Sequence, residues 1–168
     1  MSHSAPPNGL RYRVLPQVTS DARAVELMQP GCRHTWREYS LRAIMWNSWP
    51  VWDIEFTDEF ESWWMTLTAS EQESVAASVG LLRVLGPALP RPHGDAVRGS
   101  RHANMNELRT QHRGRPLRTL FAFDPRRCAI LLVGGDKTGD DRFYRRMVPL
   151  ADRAYDDHLE QLRKDGLI

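Results

Sequence analysis

The chain has 168 residues, 41% of them hydrophobic and 26% charged, with a formal net charge of +2; that is apolar material for one core and too little for two. Its longest uncharged apolar run, Cys128 to Gly135, is far below the roughly 20 residues of a membrane span, and no apolar block follows the N-terminus as a secretory signal requires, so a cytoplasmic protein with no membrane partner is expected. The two cysteines, Cys32 and Cys128, make no disulfide framework and have no paired metal spacing, and Cys128 opens an apolar run as a buried thiol does.

Residues 1–48 carry Pro6, Pro7, Pro16 and Pro30 and no sustained hydrophobic period. At most Ser20 to Met28 makes a short helix capped by Ser20 or Asp21. This stretch is expected to be a disordered extension or a start-site artefact, with Met45 opening the working protein; a functional arm is the alternative. The domain is expected over residues 49–168.

Val51 to Phe56 alternates apolar and polar side chains like a strand with one buried face. Thr57 can cap a helix with Asp58 and Glu59 in its first turn and an apolar stripe of Phe60, Trp63, Trp64 and Leu67. Thr68-Ala69-Ser70-Glu71 fits a capping box, followed by Val75, Val79, Leu82 and Leu85 at helical spacing and a stop at Gly86-Pro87. Residues 45–80 hold seven acids and no Lys or Arg. That acidic block reads as a solvated helical face, and Trp46, Trp49, Trp52, Trp63 and Trp64 within it read as core or partner interface rather than a base-stacking platform.

Pro90 to Ser100 looks like a loop. Strands are expected at Met105 to Gln111, Leu117 to Phe123 after a turn at Gly114, and Cys128 to Gly134 after Asp124-Pro125-Arg126-Arg127. Connections this short force an antiparallel meander. Asp136 to Asp141 reads as a polar loop and Arg142 to Met147 as a separate helical turn. An amphipathic helix follows from about Val148, with Pro149 in its first turn. The fold class is therefore α+β: a small, mostly antiparallel sheet with two N-terminal helices and a C-terminal helix, and a helical layer on one face.

Residues 81–150 carry fourteen basic against six acidic side chains, which makes this the candidate polyanion surface. Only Lys137 and Lys164 are lysine, and arginine's planar fork suits phosphate. Strand alternation puts Leu108 and Arg109 on opposite faces, and likewise Leu117 and Arg118, so both arginines share the polar side if the strands pair in register.

Asn106-Glu107-Leu108-Arg109, Pro116 to Phe123 and Ile130 to Lys137 together resemble the core of the RelE/HigB toxin superfamily of type II toxin–antitoxin pairs, most of all its phage-derived HigB-like branch. Trp52 to Phe60 and Arg142 to Asp152 are also similar to that branch, and the resemblance spans about residues 51–165. It implies a RelE-like fold and a toxin, silenced by a helix-turn-helix antitoxin of the HigA type, that cleaves mRNA on the ribosome. It further implies chemistry with no metal or other cofactor, in which the ribose 2′-hydroxyl attacks the adjacent phosphate. Carried over by position, Arg109 and Arg118 match phosphate-binding arginines and Lys137 a basic loop residue. Tyr144 falls where base-stacking or acid–base groups lie. Arg113, Arg115, Arg142, Arg145 and Arg146 are candidates for binding the RNA strand.

Each residue has a plainer reading. Arg109 can pair with Glu107, Tyr144 can be core packing, and His102 and His112 can be solvated loop side chains. Glu107 is disfavoured as a base by its arginine neighbours. A ParE-like toxin that poisons gyrase without cutting RNA, or a non-catalytic RNA- or protein-binding module, would use the same scaffold.

Overall fold

A computed structural model describes residues 52–168. The expected extension, Met45, Cys32, Trp46 and Trp49 lie outside the described residues. The chain runs β1 (Asp53–Phe56), α1 (Asp58–Trp64), α2 (Ala69–Leu85), a 3-10 turn (Gly86–Ala88), β2 (Gly94–Ala96), β3 (Met105–His112), β4 (Arg115–Phe123), β5 (Cys128–Asp136) and α3 (Phe143–Lys164).

Local chemistry explains the helix starts. The Thr57 side chain accepts from the Phe60 N–H ahead of three acids in the first turn of α1, where carboxylates favour the positive end of the helix dipole. Thr68 and Glu71 close a reciprocal capping box at the head of α2. Between β3 and β4 the two-residue turn Arg113-Gly114 has positive φ at both positions, 48° and 83°, the geometry that matches the twist of a tight hairpin.

The five strands lie in the order β1-β5-β4-β3-β2. The meander β3-β4-β5 is antiparallel as expected, but β1 pairs with β5 in parallel. The sheet is thus mixed: α1, α2 and three strands intervene between β1 and β5, so no tight turn forces that pair antiparallel. Gly94–Ala96, expected as loop, forms an antiparallel edge strand on β3; three residues without an apolar pattern carry no sequence signal.

The single helical layer is also corrected, since helices cover both faces. On one face Phe60 of α1 and Val75, Val79 and Leu82 of α2 pack on Leu108, Leu117, Phe121 and Leu131. On the other, Val148, Ala151, Ala154 and Tyr155 of α3 pack on Met105, Leu120, Ala122 and Ile130. Arg142 to Met147 is not a separate turn either: α3 is continuous from Phe143 and takes Pro149 into its interior. The proline ring faces solvent, and Arg145, four residues back, is exposed, so the carbonyl that loses its N–H donor can be hydrated.

A bulge in β5 sets how the helices approach the sheet. Leu120 pairs with Val133 and Phe121 with Leu131, leaving Leu132 as an extra residue in β5. Such a bulge reverses the alternation beyond it, and the two glycines after Val133 face opposite layers. A Cβ on Gly134 would overlap the Trp63 ring and one on Gly135 would press on Phe143. Both glycines are therefore required by close packing, and Gly135 lies directly across from Arg118.

Candidate active site

Arg109 and Arg118 are register partners on adjacent strands, so both side chains leave the sheet on one face. That face is the one α3 covers, opposite Leu108 and Leu117. Only the N-terminal turns of α3 reach this end of β3 and β4, and the arginines sit beside Tyr144 rather than beneath an apolar helix.

Glu107, two residues before Arg109 and on the same face, is the centre of the cluster. Its side chain is 3% exposed. Oε1 accepts from Arg109 Nε at 2.6 Å, Oε2 accepts from the Tyr144 hydroxyl at 2.5 Å, and Arg118 Nε stands 3.8 Å from Oε2. Arg109 also donates to Asp95 at 2.7 Å, a carboxylate shared with Arg91. Arg118 is the less committed of the pair. Its Nη1 donates to the Leu117 carbonyl at 2.9 Å, but its buried Nε makes no hydrogen bond among the described residues. A buried donor left in this way costs about 1–3 kcal/mol.

Lys137 follows β5, its N–H fixed by the Pro116 carbonyl at 3.0 Å, and its ammonium lies over the Tyr144 ring at 5.5 Å from the centroid. Burial, followed by the Glu107 carboxylate, raises the Tyr144 pKa above its ordinary value against a smaller opposing pull from Arg118, so the phenol stays protonated through the neutral range. The hydrogen bond to Glu107, followed by the charges of Glu107 and Asp95, raises that of Arg109. Unlike α1, α3 has no acidic residue in its first turn, and the carboxylate at its positive end is that of Asp140, which accepts from the Arg142 N–H at 2.9 Å. Two guanidiniums and a phenol thus converge on one buried carboxylate, with Lys137 over the phenol ring, an arrangement able to bind a phosphate and to hold a neutral hydroxyl near it.

The other predicted arginines are distributed unevenly. Arg113 lies exposed in the hairpin turn, and Arg142 and Arg145 are exposed at the head of α3. Arg146 pairs with Asp140 at 2.6 Å. Arg115 is spent on structure, bonding Glu71 of α2 and Asp136 of β5. The histidines also have local partners: His102 with Asp156 at 2.8 Å and His112 with Ser74 at 2.8 Å. Trp63 and Trp64 pack on the core, and Trp52 meets Phe123 edge-on. Sequence reasoning set Glu107 aside as a base and missed it as the organiser. Its place two residues before Arg109, on the same strand face, was the available signal.

One group of three metal-type donors occurs among the described residues: Glu55, Asp124 and Cys128. The Arg126 guanidinium already bridges the two carboxylates, at 2.7 and 2.6 Å. The Cys128 thiol is pushed up to about 12, chiefly by burial, which opposes the thiolate that a metal needs. Among the described residues no helix is long and apolar enough to cross a membrane.

Comparison with known proteins falls on the same segment. The family model described as phage derived protein Gp49-like (DUF891) matches residues 62–156. Among curated proteins, one of Mycobacterium tuberculosis (strain ATCC 25618 / H37Rv) bearing the toxin name HigB3 is 45% identical over 96 residues, covering 56% of this chain and 82% of that protein. A second from the same organism, bearing the toxin name HigB2, is 42% identical over 106 residues, covering 62% of this chain and 53% of that protein. No solved structure matches the chain. Arg109, Arg118, Lys137 and Tyr144 all lie within the matched segment, and the chain belongs to the phage-derived Gp49-like family, in its HigB-like branch.

Proposed function

We propose that this protein is the toxin of a type II toxin–antitoxin pair and that it cleaves mRNA on the ribosome, restrained by a helix-turn-helix antitoxin of the HigA type. The observation that carries the reading is the register pairing of Arg109 with Arg118 beside Tyr144 and Lys137. The names of the two relatives support the toxin half of it.

In this reading the scissile phosphate lies against Arg118 and the outer edge of Arg109. The two guanidinium charges stabilise the pentacoordinate phosphorane. Lys137 adds charge from the loop, and Tyr144 orients the reacting hydroxyl. The 2′-oxygen bonds to phosphorus as the bond to the 5′-oxygen breaks, giving a cyclic phosphate and a free 5′-hydroxyl. The 2′ proton is released and the 5′-oxygen takes one up, so the balance closes. Arg113, Arg142 and Arg145 contact the flanking strand, where salt-sensitive affinity is expected.

The test is to incubate the protein with translating ribosomes and map mRNA 5′ ends, alongside a gyrase supercoiling assay. New 5′-hydroxyl ends that disappear with Arg118→Ala support the proposal. Gyrase inhibition without RNA cuts, or RNA binding without cuts, replaces it.

A further inference from the structure

Glu107 has a placement that a simple phosphate-binding face does not need. A buried carboxylate beside two arginines lowers the positive potential offered to a phosphate, and Arg109 has a second carboxylate in Asp95. What Glu107 alone supplies is a link between the two arginines and Tyr144: one oxygen takes Arg109 Nε and the other takes the Tyr144 hydroxyl while facing Arg118. A carboxylate only accepts, so the Tyr144 proton points inward to Glu107. Tyr144 Oη is then an acceptor: it takes a hydrogen bond from Arg118 and keeps a further lone pair for the substrate.

We propose that Glu107 is a positioning residue for RNA cleavage: it holds Tyr144 with its oxygen presented as a hydrogen-bond acceptor toward the substrate and pins Arg109 beside Arg118, at the expense of phosphate affinity. The inference rests on the proposed nuclease reading, and it goes beyond that reading by assigning the direction of the Tyr144 hydrogen bond to a neighbouring side chain. Glutamine in place of Glu107 has the same shape but one acceptor and one donor. Its carbonyl is drawn to the charged Arg109 and its NH2 to Tyr144, which turns the phenolic proton outward.

Two measurements on the full chain test this. In the first, cleavage rate is followed against the concentration of ribosomes programmed with a defined mRNA. Glu107→Gln should lower KM by about 3-fold or more, since a negative charge is removed from beside the phosphate site, and lower kcat by about 10-fold or more, since an orienting hydrogen bond is reversed. A purely structural glutamate cannot move KM and kcat in this favourable and unfavourable combination. In the second, tyrosine ionisation is followed by ultraviolet absorbance in Glu107→Gln and its Tyr144→Phe derivative. The Tyr144 step should occur at lower pH than in the unmodified protein, because the carboxylate is one of the groups that hold it up. If Glu107→Gln fails to fold, Glu107→Asp serves in both, with the carboxylate withdrawn and a kcat between those of the parent and of Tyr144→Phe.

Parent-like KM and kcat in Glu107→Gln, or an unmoved tyrosine titration, overturns the proposal while Arg118→Ala still abolishes cleavage. Absence of cleavage by the parent removes the nuclease reading instead, and the titration then still decides whether Glu107 controls Tyr144.

Discussion

Strand β4 carries an arginine–carboxylate cluster at each end, and the two differ in their balance of charge. Beyond its C-terminal end, Arg126 binds both Glu55 and Asp124. Asp124 also accepts from the Arg126 and Cys128 N–H groups and contacts His158 Nε2 at 3.0 Å. Near its N-terminal end, Arg109, Arg118 and the Tyr144 hydroxyl gather around Glu107, with Lys137 over the Tyr144 ring. The first sets one guanidinium against two carboxylates and ties the β4–β5 turn to β1 and α3; the second sets two guanidiniums around the buried Glu107, with Asp95 at the outer one. A surplus of positive charge suits a polyanion and is not needed for a structural lock.

The comparison breaks most sharply at Asp124. Asp124→Ala should destabilise the fold by about 3–5 kcal/mol in urea denaturation, because Arg126 and His158 lose a buried partner, while cleavage per folded molecule stays at the parent value. Its pH dependence follows from the same contacts. Burial pushes the Asp124 carboxyl up, but hydrogen bonds from His158, Arg126 and the Cys128 N–H outweigh it and leave the pKa below the ordinary value. A carboxyl depressed in the folded state stabilises at pH above its unfolded pKa of about 3.9. That contribution is lost as pH falls through the folded value. An acid titration of stability should therefore be flatter in Asp124→Asn than in the parent below about pH 4.

Arg118→Ala is the mirror image. Cleavage should fall by about 100-fold or more, the order for losing one preorganised donor to a transition state, with the thermal midpoint close to the parent's. Tyr144→Phe keeps the ring beneath Lys137 and removes only the hydroxyl, so a loss of about 10-fold is expected, that of one hydrogen bond. The smallest effect belongs to Arg115→Ala. Its half-exposed ion pairs should cost no more than about 1 kcal/mol in denaturation, and cleavage should stay within about 2-fold if Arg115 serves the hairpin rather than the RNA. A large cleavage defect there would extend the site around the β3–β4 turn.

Much of this was legible in residue order. Thr57, the Thr68–Glu71 box and Gly86-Pro87 mark the ends of α1 and α2 because caps and stops depend on neighbours within a turn. The meander was readable because its connections are too short for any other pairing. The start of α3 was hidden by Pro149, whose cost depends on what lies around the carbonyl it leaves unpaired.

At the site, the sequence by itself determined that Arg109 and Arg118 could share a strand face and that Lys137 and Tyr144 would follow close behind. Only the tertiary structure decided that β1 lies parallel to β5, that α3 covers the arginine face, and that Glu107 reaches both Arg109 and Tyr144. Periodicity assigns a side chain to one side of its own strand. Which element covers that side depends on contacts such as that between Glu107 and Tyr144, 37 positions apart in the chain, and on the bulge at Leu132 that shifts the side-chain alternation of β5.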